Sequence, residues 1–297
     1  EVERWQARVR GPIDYYDWAS ESGLVGARAD LELLAKKTGG GWISQRGVVR
    51  ASLRVRGPLA RGDLIDVPLV LHPMPIPRNH ADRTQRDIRR WYGVDARARG
   101  RGEVIFLKHE VGLAADIARL RFRILRSVQA SQSEQVFVWV AALALGSRAA
   151  MDRELRETWG RAGVAHLLAI SGLHMATLLL GVMMVLGFVV RRVRPLAERY
   201  SVPSICAVPA MVSIWLFCSL VGQPLSALRA SLMGTVVLLS LITGHRSVGL
   251  NAMGLAGAIM ALMEPRALGQ PGWLLSFSAT AALLLWLSGT RSQGFLA

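Results

Sequence analysis

The feature that most constrains this chain is a long run without charge. Residues 164–190 contain no Asp, Glu, Lys or Arg. A span of the bilayer hydrocarbon needs about 20 such residues, and a run of this length is read as a membrane helix. Further apolar runs follow at 202–222, 226–244, 247–263 and 271–288, with Arg229 near the start of the second of these. Together they predict a polytopic α-helical bundle of about five spans.

The chain ahead of these runs is of another kind. Overall 52% of the residues are hydrophobic and the net charge is +15. Residues 1–130 hold 24 Lys/Arg against 15 Asp/Glu, while residues 131–297 hold 12 against 6. A basic polar module therefore precedes a membrane module. Such a balance fits an anionic partner, either nucleic acid or a lipid surface. The chain begins at Glu1 and ends in "RSQGFLA", and both ends read as cut from a longer protein.

Residues 1–112 alternate in short segments: "RWQARVRGPI", "GARADLELLAKK", "GWISQRGVVRASLRV", "GDLIDVPLVLHP" and "VDARARGRGEVIFLKH". Gly and Pro signals bound each one, which is the pattern of strands and turns. A short helical pattern, "HADRTQRDIRRWYG", precedes the fifth, and the proline-rich "PMPIPR" does not fit a central strand. Five strands with a helix before the fifth predict a small β-barrel of the OB type, among other small β folds.

Residues 113–162 connect the two modules. "LAADIARLRFRILRSVQA" places Leu113, Ile117, Leu120, Ile124 and Val128 at helical spacing, with Arg119, Arg121, Arg123 and Arg126 between them. This is an amphipathic basic helix that either lies on the membrane or packs on the sheet. "EQVFVWVAALALGS" is apolar but short, as core and interfacial helices are. The domains expected are thus 1–112, 113–162 and 163–297.

Arg191, Arg192, Arg194 and Arg199 crowd the loop after the first span, against one acid, Glu198. The positive-inside rule puts that loop in the cytoplasm, which leaves the β module outside the cytoplasmic membrane. Cys206 and Cys218 share one apolar run, about 18 Å apart along a helix, too far to form a disulfide.

The first run is also the most polar in its detail. "HLLAISGLHM" carries His166, Ser171, Gly172 and His174. One helix over 164–190 would be about 40 Å long, more than the ~30 Å of hydrocarbon. A break is expected at Ser171–Gly172, since Gly weakens helix propagation and Ser competes for backbone hydrogen bonds. Broken helices at membrane depth line protein-filled or wet interiors. Ser171 and His174 are three apart and share a face. His166 and His174, eight apart, are not spaced to share a metal ion, and no third group orients the Ser–His pair for nucleophilic catalysis. The alternative is hydrogen-bonded packing between helices.

"WGRAGVAHLLAISGLHMATLLLG" resembles the signature of the ComEC-type competence proteins, inner-membrane channels for DNA uptake. "GQPLSALRASLM", "LNAMGLAGAIMALMEPRAL" and "GWLLSFSATAALL" follow in that family's order, with Glu264 where Asp is usual and Trp273 where Phe is usual. The likeness covers most of 45–297 and is weak over the first 40 residues. It implies passage of single-stranded DNA across the cytoplasmic membrane, alongside other competence proteins and with a homodimer plausible. The metallo-β-lactamase-like domain that many members carry has no counterpart here. No H-x-H-x-D-H motif occurs, so neither enzyme activity, metal nor cofactor is expected of this chain.

The resemblance implies a polar lane through the bundle. His166, Ser171, Gly172, His174, Gln223, Ser226, Arg229, Asn251 and Ser276 are its candidates. Arg229 is the sharpest, because a cation near the interface can meet phosphates. Its alternative role is an interfacial anchor or a partner for Glu264. In the β module, Arg46, Arg50, Arg54, Arg56, Arg97, Arg99 and Arg101 are candidate DNA contacts, and Trp42, Trp91 and Tyr92 are candidate stacking surfaces or core residues. Two other readings stand beside the channel: a small-solute or lipid transporter with a broken helix, and a membrane scaffold for a downstream hydrolase.

Overall fold

The computed structural model describes all residues except 1, 12, 17, 19–22, 74–92, 148–150, 165–169, 245–248, 264, 270 and 294–297. The helical pattern at 80–93 falls almost wholly outside the described residues, as do His166, Trp91 and Tyr92. The chain divides into two units. The first is residues 1–169 with 219–222, and the second is 170–218 with 223–297.

The first unit is built on a seven-stranded sheet: β1 (Glu3–Val9), β2 (Asp14–Tyr16), β3 (Val25–Thr38), β4 (Gly41–Val55), β5 (Leu64–His72), β6 (Ala96–Glu103) and β7 (Ile105–Lys108). Period-two alternation decides which face of each strand is buried. Val25, Ala27, Ala29, Leu31 and Leu33 of β3 are buried, as are Val49, Ala51, Leu53 and Val55 of β4. Between them Arg28, Asp30, Arg50, Ser52 and Arg54 point the other way. The expected last strand is divided in two, and β2 is an addition that pairs with β3. The strand order is β1-β3-β4-β6-β5-β7, and β1 also pairs with β5. The pairings β1–β3–β4–β6–β5–β1 therefore run in a closed circuit. Only the β4–β6 pair is parallel.

Helix α1 (Leu113–Ser131) and helix α2 (Glu134–Leu145) pack on this sheet. Phe122 and Leu125 from α1, and Phe137, Ala141 and Leu145 from α2, join its core. Tyr15, Trp18, Phe122 and Phe137 meet in an aromatic cluster with ring centroids 4.9–5.8 Å apart. Of the two expectations for the basic helix, packing on the sheet describes its Phe122 and Leu125 face. Helix α3 (Arg153–Arg161) follows, with Trp159 against Trp139 of α2.

Arg121 is the exception on α1. It is buried, and its guanidinium donates to the carbonyls of Ile13 (3.2 Å) and Leu145 (3.1 Å). Leu145 ends α2, so the cation sits on carbonyls that have no helical partner, at the negative end of the helix dipole. Burial pushes the guanidinium pKa down, and the charges of Asp14 and Tyr15 oppose that shift.

The second unit is helical: α4 (Gly172–Arg192), α5 (Arg194–Arg199), α6 (Val202–Leu220), α7 (Leu225–Thr243), α8 (Gly249–Met263), a 3-10 turn at Pro265–Gly269, and α9 (Pro271–Gln293). Residues 219–220, which end α6, belong to the first unit. Among the described residues, α4, α6 and α7 are long and apolar enough to cross a membrane. The remaining two expected spans correspond to shorter apolar helices, Gly249–Met263 and Gly272–Trp286. Close approach holds these helices. A Cβ on Gly257 would lie 3.2 Å from the Phe277 ring, and one on Gly249 would lie 2.6 Å from Leu284. Hydrogen bonds add to this: Trp215 Nε1 donates to Thr235 Oγ1 at 2.9 Å, and Ser204 Oγ to the Leu241 carbonyl at 2.7 Å. Cys206 and Cys218 are both buried and free.

Candidate functional site

Helix α4 begins at the position of the expected break, and residues 165–169 ahead of it lie outside the described residues. Ile170 and Ser171 are not helical, and α4 starts at Gly172 with Ser171 as its N-cap. The Ser171 backbone N–H donates to His174 Nδ1 at 3.2 Å, and Ser171 Oγ lies 3.0 Å from the same nitrogen. This is a capping box in which His takes the place usually held by Glu or Gln. Because Nδ1 accepts from a backbone N–H, the neutral ring carries its proton on Nε2.

The first turn of α7 meets this break. Ser226 Oγ donates to the Ile170 carbonyl at 2.6 Å. Gly172 faces Ala230 of α7, where a Cβ on the glycine would make an ordinary contact at 3.9 Å. Arg229 is three residues beyond Ser226 and so shares its face. It is 8% exposed, and its Nε has no hydrogen-bond partner among the described residues. The start of α4 and the first turn of α7 thus meet at one carbonyl, with the buried Arg229 one turn further along α7. Each N-terminus carries free N–H groups and partial positive charge. The arrangement is electropositive inside an apolar bundle, which suits an anion.

Among the described residues, no hydrogen bond joins the other lane candidates to this cluster. Gln223 is exposed in the turn between α6 and α7, with φ at 55° and its N–H on the Cys218 carbonyl at 2.9 Å. Asn251 is exposed on α8. Ser276 on α9 is half-buried, and its carbonyl accepts from Thr280 Oγ1 at 2.8 Å.

In the first unit the arginines form a face. Register places Asp30, Arg50, Arg97 and His72 in one row across β3, β4, β6 and β5. The next row holds Arg28, Ser52, Arg99 and Val70. Arg54 stands beside Glu103. All lie on the outer face of the sheet. Asp30 engages Arg50 with both oxygens, at 2.7 and 3.0 Å, and Glu103 pairs with Arg56. Arg101 is exposed further along β6, and Arg46 is exposed on the outer half of β4. Trp42 is 40% exposed at the end of the β3–β4 hairpin, so it is not a core residue. Sequence reading missed Arg28, which sits 5.8 Å over the Tyr16 ring. The strand alternation around Asp30 was the signal for it.

The class is now defined: a membrane protein that joins a basic sheet unit to a unit of apolar helices. Residues 143–296 match the family model described as competence protein. That match covers more than half of the chain, which belongs to this family and is of the ComEC type. The ComE operon protein 3 of Bacillus subtilis (strain 168) is 32% identical over 146 residues, 49% of this chain. The aligned part spans 18% of that relative's length. No solved structure matches the chain.

Proposed function

We propose that this chain is the part of a DNA-uptake channel that admits single-stranded DNA to the cytoplasmic membrane during natural transformation. Family membership and the likeness to a protein of the ComE operon support the process. The physical support is the junction of Ser171, Gly172 and His174 with Ser226 and Arg229. A strand bearing a phosphate at every nucleotide needs fixed positive charge where hydrocarbon would otherwise exclude it. Two helix N-termini and a buried guanidinium whose Nε has no partner among the described residues supply that charge. Gln223, Asn251 and Ser276 extend the same lane.

The sheet unit is read as an OB-like barrel that presents the strand from outside. The closed circuit of five strands with a parallel β4–β6 pair supports that reading. The outer rows of Arg50, Arg97 and Arg99, joined by Arg28, Arg46, Arg54, Arg56 and Arg101, serve as the phosphate track, and Trp42 as a stacking platform. In this reading residues 1–112 handle DNA, 113–162 connect, and 163–297 form the membrane domain. The Arg-rich loop after α4 faces the cytoplasm.

The test is uptake in the native host from the full-length gene. Arg229→Ala and His174→Ala are expected to leave surface binding of labelled DNA intact. Each is expected to cut its arrival in the cytoplasm by about tenfold or more, the equivalent of one lost ion contact. Unchanged arrival in both variants, at normal membrane levels, would reduce the junction to helix packing.

A further inference from the structure

The first unit carries a second basic feature, away from the arginine rows. A cavity of about 530 Å³ lies where the end of β1, the turn into β5, the end of β7 and the start of α1 meet. Arg8, Arg61, Lys108, Glu110, Val111 and Leu113 are among its lining residues. The strand register explains the gathering. Arg8 is paired with Leu64 on β5, and Leu64 with Lys108 on β7. A register shift at Leu64–Ile65 sets Lys108 apart from core-packed Phe106, and both cations line the same cavity. Arg61 joins them from the turn, where Gly62 holds φ at +101°.

None of the three cations has an ion-pair partner among the described residues, and all three are exposed. The one acid of the lining, Glu110, packs its side chain against Gly62. Buried Asp63 is already engaged, accepting from the Ala60 N–H and the Glu110 N–H at 2.7 Å each. The cavity is therefore cationic without an internal counter-ion that balances it. The first turn of α1, with no side-chain cap on Gly112, adds to that field.

The rim decides which anion fits. Val111 is 86% exposed and Leu113 71% exposed, both beside the cavity. Ile105 and Leu107 on β7 are 48% exposed each. Aliphatic side chains give a nucleic acid nothing to stack on. Next to a cationic pocket they form the pattern of a surface that lies in the headgroup region, with cations on phosphate and apolar groups at the acyl boundary.

We infer that this cavity takes the phosphate of an anionic lipid headgroup, with Val111 and Leu113 dipping into the bilayer beside it. The sheet unit thereby touches the membrane beside β1, β5 and β7, whereas its arginine rows run over β3, β4 and β6. The inference rests on the chain being a membrane protein and does not depend on its carrying DNA.

The test uses the full chain in nanodiscs of phosphatidylcholine with graded phosphatidylglycerol. A polarity-sensitive dye on Val111→Cys reports the rim, since the native cysteines are buried. Phosphatidylglycerol is expected to shift the dye emission to the blue. Each of Arg8→Ala, Arg61→Ala and Lys108→Ala is expected to weaken that response about fivefold. Glu110→Gln, which keeps the backbone bonds of that residue, is expected to strengthen it. The gain-of-response variant guards against a general loss of fold, which circular dichroism also monitors. Equal shifts in phosphatidylcholine alone, or an undiminished response in all three alanine variants, would overturn the inference. So would reproduction of the shift by inorganic phosphate in phosphatidylcholine discs. A shift driven instead by an oligothymidylate, and lost in the same variants, would make the cavity a nucleic-acid site. DNA uptake is not a readout here, so failure of the channel reading leaves the outcome legible.

Discussion

The two units solve opposite burial problems. In the sheet unit the large apolar side chains are hidden: Trp5, Leu31, Leu53, Ile65 and Leu69 are at most 2% exposed. In the helical unit they face out. The spanning window of α4 is only 6% buried, and Leu180, Met184 and Phe188 are 63%, 71% and 59% exposed. Polar groups reverse as well. The strands of the sheet unit turn their arginines outward, with Arg121 of α1 the buried exception, while the helical unit buries Arg229. The difference lies in the solvent each unit is built for. Water drives apolar area inward. Lipid does not, so helices there are held by close approach and a few hydrogen bonds.

That contrast can be broken by substitution. The largest effect is expected at Trp5, buried at the centre of the sheet. Trp5→Ala should destabilise the sheet unit by about 3–5 kcal/mol. Denaturant unfolding of the reconstituted chain, followed by sheet circular dichroism, would show it. Helices that melted together with the sheet would mean that the two units do not have separate sources of stability. Next comes Gly257, where the Phe277 ring leaves no room. Gly257→Leu should destabilise the helical unit by about 1–3 kcal/mol through overpacking, although it adds apolar surface. Steric trapping in bilayers would measure this, and a stabilised variant would mean that apolar area matters there as it does in water.

The smallest effect depends on pH and belongs to the sheet unit. Tyr15 is buried, its hydroxyl donating to the Leu59 carbonyl at 3.3 Å and accepting the Leu59 N–H at 2.9 Å. Burial pushes its phenol pKa up, partly offset by the Leu59 hydrogen bond and the Arg121 charge. The unfolded chain then releases this proton first. The stability it contributes is complete below about pH 10 and declines as pH rises toward the folded pKa, by up to about 1.4 kcal/mol per pH unit. Tyr15→Phe should flatten that alkaline slope in urea titrations while lowering stability at neutral pH.

The strands were legible because burial on one face imposes a period of two. Residues 27–33 and 49–55 display it without interruption. The order of the strands was not legible. Pairing of β1 with β5, or of β4 with β6, is a long-range choice that no local pattern encodes. Arg121 shows the same limit on a helix. Its neighbours Arg119, Arg123 and Arg126 read as one polar set with it, yet it alone is buried and finds two carbonyls from distant segments. At the junction, Ser171 and His174 could be placed on one face by their spacing. That Ser226 would reach the Ile170 carbonyl could not, because the two residues are 56 apart in the chain.

The sequence by itself determined that this chain has a basic alternating part and an apolar part, which residues cap the first long apolar helix, and which family it resembles. Those are properties of composition, period and local spacing, and each acts within a few residues. Only the tertiary structure decided which cations are paired and which are left unpaired. Asp30 covers Arg50 across two strands, while no described group reaches the Nε of Arg229. Whether a charge is answered depends on groups brought near by folding from distant parts of the chain.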